Sequence, residues 1–134
     1  MILTGLRLGE LIELKWNQID WNHKCLTIPR RIPMTLRVQE ILRILKEANP
    51  DLIKVFGDVV KDFPNEKELR KKIEEAINNC FPKEKLSAAV LRHTFAVGLI
   101  QKGVSFSGLY QMMGKDDIGK MMVYFSCCLT NVTL

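Results

Sequence analysis

Apolar residues recur every three or four positions in three stretches of the first part of the chain, as on one face of an amphipathic helix. This pattern predicts a helix over residues 5–16, a second over 36–48, and a third from Asn65 through Cys80. Thr4 is suited to cap the first helix, and Asn49-Pro50 ends the second. The apolar positions are Leu8, Leu11, Ile12 and Leu14, then Val38, Ile41, Leu42 and Leu45, then Leu69, Ile73, Ala76, Ile77 and Cys80.

The C-terminal part of the chain also has helical spacing, interrupted by two glycines. Ser87 is suited to cap a helix through about Lys102, which Gly103 ends. A shorter helix follows over residues 104–114, and a last segment beginning at Asp116 or Asp117 contains a tyrosine, Tyr124. The sequence therefore predicts a mostly helical C-terminal half.

Two short runs between the first two helices have the alternation of strands. They are "CLTIP" at 25–29 and "RRIPMT" at 30–35, and Pro29 and Pro33 limit them to an edge or a small sheet. The preceding residues 17–24 are rich in Asn and Asp and predict a turn. We therefore expect a mostly α fold with a small β-hairpin or sheet (α+β), forming one domain over residues 1–134.

Composition places the chain among globular proteins with a mildly basic surface. Hydrophobic residues make up 47% of its 134 residues, the net charge is +5 and the isoelectric point is near 9.1, which suits a polyanionic partner. We find no run of about 18 apolar residues and no secretion leader, so we expect no membrane association and a cytoplasmic location. The four cysteines lack the spacing of a zinc site, which predicts reduced thiols and no metal.

The stretch "TGLRLGEL" at 4–11 puts a cation, Arg7, at the N-terminal end of the first predicted helix. That end carries partial positive charge, so the arginine is unfavourable there unless it meets an anion such as a phosphate. Glu10 lies three residues further on and can hold the Arg7 side chain in one rotamer. A simple surface ion pair of Arg7 with Glu10 is the alternative.

Two stretches together resemble the catalytic domain of the tyrosine recombinases, or phage integrases. The first, "TGLRLGELIELKWNQIDW", is similar to the family's Thr-Gly-Leu-Arg turn with its glutamate, apolar helix and Trp-x-x-Ile-Asp segment. The second, "LRHTFAVGLIQKGVSFSGLYQMMGKDDIGKMMVYF", resembles the family's Leu-Arg-His-Thr-Phe-Ala helix and the tyrosine nine residues beyond its Leu-Gly-His turn. The likeness is sharp over residues 3–35 and 86–125.

The resemblance implies a DNA strand transferase that needs neither a metal ion nor a nucleotide cofactor. Arg7 and Arg92 would hold the scissile phosphate, and Tyr124 would attack it to give a 3′-phosphotyrosyl intermediate. Lys115 would be an auxiliary donor, and Glu10 would orient Arg7. The partner implied is double-stranded DNA, with a homo-tetramer on two duplexes if the protein is full length, and the protein would associate with the nucleoid when bound.

The chain departs from the family pattern in four places. Ala89 stands where the family has a histidine, and His93 is a possible auxiliary group one helical turn away. Lys115 replaces a histidine or tryptophan. The strand pair leaves almost no turn for the family's catalytic lysine, so Lys24, Arg30 and Arg31 remain candidates without an assigned role. The first catalytic-domain helices and the DNA-clamping domain are missing, which suggests a fragment or a truncated relic.

Two other functions fit parts of the same sequence. "FAVGLIQKGVSFSGLYQMM" is similar to a helix-turn-helix, which would make the protein a DNA-binding regulator that needs neither Arg7 nor Tyr124. Alternatively, Ala89 and the shortened hairpin would leave a catalytically impaired relic that binds DNA or pairs with other protomers. Loss of general acid–base catalysis typically costs about 10²–10⁴ in rate.

Overall fold

The computed structural model describes residues 1–114 and 118–130. Its three strands are β1 (Ile19–Asp20), β2 (Cys25–Thr27) and β3 (Arg31–Pro33). Its helices are α1 (Leu8–Glu13), α2 (Leu36–Ala48), α3 (Gly57–Lys61), α4 (Glu66–Cys80), α5 (Ala89–Gln101), α6 (Phe106–Met113) and α7 (Ile118–Thr130), with a short 3₁₀ turn at Trp16–Gln18. The expectation of a mostly helical fold with a small sheet is confirmed.

The first helix starts later than the sequence pattern predicted, and the prediction that Thr4 caps it is wrong. Gly5 has a positive φ of 66°, so the chain turns there and enters α1 only at Leu8, after Arg7. A Cβ atom at Gly5 would lie 2.5 Å from Cδ1 of Phe95. The turn therefore packs directly against α5, which brings the start of the chain to the C-terminal helices.

The three strands form one antiparallel sheet in the order β1-β2-β3. Ile19 pairs with Leu26 and Leu26 with Ile32, and all three side chains are buried on the same face. Residues 17–24 were predicted as a turn, and the two-residue strand β1 was missed because it is too short to show alternation. The β2–β3 turn is tight, with the Ile28 amide donating to the Arg30 carbonyl at 3.0 Å.

Side chains cap the starts of α2, α4 and α6. The Asn65 side chain accepts the Glu68 amide at 3.0 Å, as predicted for α4, and α2 has its predicted bounds. The predicted cap at Ser87 is wrong: α5 starts after Ala88, which has no side-chain acceptor. Instead, the Ala88 amide donates to Oε1 of Glu74 on α4 at 3.0 Å, so a tertiary contact replaces the local cap.

Buried side chains form two hydrophobic clusters. The first lies between α1, the sheet and α2, and consists of Leu6, Leu14, Ile19, Leu26, Ile32, Met34, Val38, Leu42 and Val55. The second lies among α5, α6 and α7, and consists of Ala96, Leu109, Met113 and Met121, with Phe95, Tyr110 and Tyr124 packed against it. The predicted site residues are divided between the parts of the chain that build these two clusters.

Candidate functional site

Arg7 lies at the N-terminal end of α1, as the sequence predicted. Its backbone is extended, with φ −68° and ψ 154°, and its amide donates to Oε2 of Glu10 at 2.8 Å. Glu10 thus satisfies one of the amide groups that a helix start leaves without an intrahelical acceptor. This bond fixes the backbone from which the Arg7 side chain projects.

Glu10 also forms a bidentate ion pair with Arg30 in the β2–β3 turn. The two bonds join Nη1 to Oε1 at 2.6 Å and Nη2 to Oε2 at 2.7 Å, and Nε of Arg30 donates to the Met112 carbonyl at 2.6 Å. The guanidinium and carboxylate planes therefore hold each other in a fixed orientation. Glu10 therefore contacts both the hairpin and the backbone amide of Arg7.

The charge environment of Glu10 favours its ionised form. Partial burial alone would raise the pKa of the Glu10 carboxyl. Hydrogen bonds from Arg30 and from the Arg7 amide, together with the charges of Arg30 and Arg92, outweigh burial and hold that pKa below its ordinary value. The carboxylate stays negative at neutral pH and fixes cations around it.

Arg92 is buried on α5, with 8% of its surface exposed. Its Nη1 donates to the Gly5 carbonyl at 2.7 Å and its Nη2 to the Met113 carbonyl at 2.6 Å. Nη1 also lies 3.9 Å from Oε2 of Glu10. Two carbonyl oxygens therefore hold the guanidinium plane in place, which is the preorganisation that anion binding requires.

Tyr124 projects from α7 towards α5, where its hydroxyl forms a hydrogen bond with Nδ1 of His93. The two rings meet edge to face, with centroids 5.2 Å apart and planes at 60°. Both side chains are partly exposed. The phenol is thus accessible and joined to a group that can take up a proton.

These side chains meet at one cleft of about 470 Å³. Arg7, Arg92 and Tyr124, which are remote in sequence, all line it, and so does Ala89. The other lining residues are Met1, Leu8, Gly9, Glu10, Glu66, Arg70, His93 and Lys120. The cleft carries four cationic residues and two carboxylates, a balance that suits an anionic ligand.

The three remaining predicted residues are placed differently. Lys24 is exposed in the β1–β2 turn, with φ 53°, and is not among the described residues that line this cleft. Arg31 is exposed at the start of β3 and lines a second cleft of about 610 Å³, which Arg7 and Arg30 share. Lys115 lies outside the described residues.

Of two further cations near the site, sequence reasoning left Arg30 without a role and missed Lys120. Arg30 was only one of several unassigned hairpin residues, and its contacts reach across 20 residues to Glu10 and 82 residues to Met112. Lys120 lines the same cleft as Tyr124. It lies four residues before Tyr124 on α7, so helical spacing could have identified it.

Within residues 1–114 and 118–130, no three His, Cys, Asp or Glu side chains are grouped so that they could hold a metal ion. Over the same residues, no helix has the length and apolar character needed to span a bilayer. Cys25, Cys80 and Cys128 are free thiols, of which Cys25 is buried and Cys80 is exposed.

Comparison with known proteins agrees with this geometry. The model of the phage integrase family matches residues 1–127. The tyrosine recombinase XerC of Lactobacillus delbrueckii subsp. bulgaricus is 26% identical over 145 residues, covering 98% of this chain and 49% of that protein. XerD of Lacticaseibacillus casei is 24% identical over 137 residues, covering 92% of this chain and 47% of that protein. The chain spans about half the length of the curated relatives it matches.

Solved structures share the fold. The crystal structure of XerA recombinase superposes with a TM-score of 0.78 at 18% identity, covering 97% of this chain and 51% of that one. The Tn1549 transposon integrase, solved in complex with circular intermediate DNA, gives a TM-score of 0.67 at 18% identity, covering 99% of this chain and 55% of that one. With the family match, these likenesses establish that the chain belongs to the phage integrase family and has the fold of a tyrosine recombinase catalytic domain.

Proposed function

We propose that this chain is the DNA-cleaving and rejoining part of a site-specific tyrosine recombinase. The observation that carries the proposal is the convergence of Arg7, Arg92 and Tyr124 on one cleft, although Arg7 precedes α1 and the other two lie on α5 and α7, up to 117 residues away (from 7 to 124) in the chain. A related integrase was solved in complex with DNA. We therefore take double-stranded DNA as the partner.

In the proposed reaction, the two arginines bind the scissile phosphate and Tyr124 attacks it. Negative charge grows on the non-bridging oxygens as the phenol oxygen bonds to phosphorus, and guanidinium groups remain cationic throughout and can each bind two oxygens. The bond to the 5′ oxygen breaks, leaving a 3′-phosphotyrosyl enzyme that a DNA 5′-hydroxyl later resolves. Arg92 enters this reaction already oriented by the Gly5 and Met113 carbonyls.

Other residues support the phosphate site in this proposal. Glu10 holds the backbone at Arg7 and the guanidinium of Arg30. Lys115, nine residues before Tyr124 in sequence, is the auxiliary cation of the proposal. Arg31 is available to the DNA backbone from the second cleft. We assign no part in the chemistry to Lys24, because it does not line the cleft of Tyr124.

The chain offers a clean test because it contains only two tyrosines. We would incubate it with a pool of random-sequence duplexes, each bearing a single nick, and separate covalent protein–DNA adducts on a denaturing gel. We expect an adduct that peptide mapping places on Tyr124. The adduct should be absent from Tyr124→Phe and retained by the matched control Tyr110→Phe, whose ring packs against the second hydrophobic cluster.

The arginines provide the second arm of the same test. We expect Arg7→Ala to slow adduct formation by about 10²–10³-fold, the usual cost of removing one group that stabilises developing charge. A parent chain that binds the duplexes but gives no adduct would contradict the proposal. That outcome would favour the alternative of a DNA-binding relic, in which the guanidinium groups bind phosphate without strand cleavage.

A further inference from the structure

His93 makes the hydrogen bond that defines the surroundings of the Tyr124 hydroxyl. The bond runs from the phenol on α7 to Nδ1 on α5, and the edge-to-face packing of the two rings keeps the atoms in register. Histidine is the side chain that most readily takes up and releases a proton near neutral pH. A nucleophilic hydroxyl in direct contact with such a group is the arrangement by which proteins activate weak oxygen nucleophiles.

The position of His93 on α5 explains how it can act in the absence of a histidine at Ala89. The two residues are four apart, so they lie one helical turn from each other on the same face. Both line the cleft that contains Arg7, Arg92 and Tyr124. An imidazole at His93 therefore reaches the same cleft that a side chain at residue 89 would reach.

The two carboxylates of the cleft are already paired with arginines. Glu10 is bound by both nitrogens of the Arg30 fork, and Glu66 is paired with Arg70 at 2.7 Å. The hydrogen bonds and charge of Arg30 help to hold the pKa of the Glu10 carboxyl below its ordinary value, which makes Glu10 a weaker base. The charged residues that line this cleft together with His93 are Arg7, Glu10, Glu66, Arg70, Arg92 and Lys120.

We propose that His93 is the proton acceptor for Tyr124, acting where the family resemblance places a histidine at residue 89. The inference rests on the proposed function. The phenol proton moves to Nδ1 of His93 as the Tyr124 oxygen bonds to phosphorus. The phosphorus–5′ oxygen bond breaks, and the 5′ oxygen leaves with the electron pair and takes a proton from water. The imidazolium then returns its proton to the resulting hydroxide, which restores the neutral ring.

The test compares His93→Gln and His93→Ala with the parent in the nicked-duplex assay. Glutamine retains a hydrogen-bonding side chain but cannot accept a full proton at ordinary pH, so it separates proton transfer from mere positioning. We expect His93→Gln to slow adduct formation by about 10²–10⁴-fold at neutral pH, the usual contribution of a general base. The rate of adduct formation by His93→Gln should keep rising with pH well above the range in which the rate of the parent has levelled off.

Imidazole added to His93→Ala provides a rescue that a structural role would not produce. We expect the rate of adduct formation to rise with imidazole concentration in His93→Ala and to stay constant in the parent. Equal rates and pH profiles for the parent and His93→Gln, or no rescue of His93→Ala, would overturn the inference while leaving the proposed function intact. A parent that forms no adduct would overturn both.

A measurement without DNA checks the contact itself. The chain has two histidines, so His23→Gln leaves a single imidazole whose ring nitrogens can be followed by ¹⁵N NMR. We expect Tyr124→Phe to move the Nδ1 resonance of His93 and Tyr110→Phe to leave it in place. If the Nδ1 resonance of His93 stays in place in Tyr124→Phe, the inference is overturned regardless of the activity of the chain.

Discussion

At the scale of single residues, Glu10 organises the site. Its carboxylate accepts the Arg7 amide, binds both terminal nitrogens of Arg30 and lies 3.9 Å from Nη1 of Arg92. One negative charge thus keeps three arginines in fixed relation to each other. Without it, Arg30 and Arg92 would repel each other inside a partly buried region.

We predict that Glu10→Gln lowers the free energy of unfolding by about 2 kcal/mol, the usual scale for hydrogen bonds to charged groups. The side chains of Arg30 and Glu10 are only 14% and 24% exposed, so solvent does not replace the lost interaction. Urea titration measures the change. The matched control is Glu13→Gln on the same helix, whose pair with Lys54 is 64% and 40% exposed and should contribute less than about 0.5 kcal/mol. Equal losses in both variants would contradict the assignment.

The stabilisation from Glu10 should also depend on pH. Because its pKa is lower in the folded chain than its ordinary value of 4.5, the contribution is complete above about pH 4.5 and disappears as the pH falls through the folded-state pKa. We therefore expect the difference in unfolding free energy between the parent and Glu10→Gln to shrink in acid. Urea titrations at pH 7, 4 and 3 (about one unit or more apart) would show it, and a constant difference would count against the ion pair.

At the scale of secondary structure elements, α6 supports the site through its C-terminal end. Its last carbonyls, at Met112 and Met113, accept Arg30 and Arg92. Helix C-terminal carbonyls lack intrahelical donors and carry partial negative charge, so they are natural partners for cations. The two guanidinium groups are therefore positioned by a helix that contributes no residue to the proposed chemistry.

We predict that the side-chain cap at the start of α6 contributes to the stability of the fold. The Ser105 hydroxyl accepts the Gly108 amide at 3.1 Å, and Ser105→Ala should cost about 1 kcal/mol of unfolding free energy. Ser107→Ala is the control, because Ser107 is exposed within the helix and alanine is the better helix former there. Thermal unfolding followed by circular dichroism compares the two. A larger loss in Ser107→Ala would show that the cap is not what holds the helix.

The elements that the sequence predicted well are those with local signals. Helices α2 and α4 have uninterrupted amphipathic spacing and side-chain caps at Thr35 and Asn65. The predicted start of α1 was wrong because the positive φ of Gly5 depends on packing against Phe95, which lies 90 residues further along the chain (from 5 to 95). The predicted start of α5 was wrong because the Ala88 amide donates to Glu74, which belongs to another helix.

The same distinction holds for the site. Arg7, Arg92 and Tyr124 were predicted from motifs that are read locally, and the structure brings all three to one cleft. The partners of Arg30 and the contact between His93 and Tyr124 were not predicted. Both depend on how helices and the hairpin pack, and no spacing rule within one element describes such contacts.

At the scale of the whole molecule, positive charge gathers at the two clefts that meet at Arg7. Arg70, Arg92 and Lys120 line the first cleft, and Arg30 and Arg31 line the second. The chain as a whole carries a net charge of only +5. In the proposed function, DNA would bind to this surface through phosphate contacts that release counterions.

We predict that Arg70→Gln weakens binding to all duplex sequences alike and reduces the slope of log affinity against log salt by about 0.9, the value for one lost phosphate contact on duplex DNA. Arg37→Gln removes the same charge from α2 and serves as the control, because Arg37 lines neither cleft. Fluorescence anisotropy with a random-sequence duplex at several salt concentrations measures both slopes. Identical slopes for the two variants would contradict the placement of the DNA surface.

The bridge that Arg92 makes between Gly5 and Met113 has a consequence for how the molecule responds to heat. Gly5 leads into the first hydrophobic cluster, and Met113 belongs to the second. We expect moderate heating to loosen the contacts between the two clusters, and so to separate the guanidinium groups of Arg7 and Arg92, before either cluster unfolds. The proposed strand cleavage should then be lost at a lower temperature than helical structure. A phosphodiester bound by both arginines would stabilise the contacts between the two clusters and reduce the difference between these two temperatures.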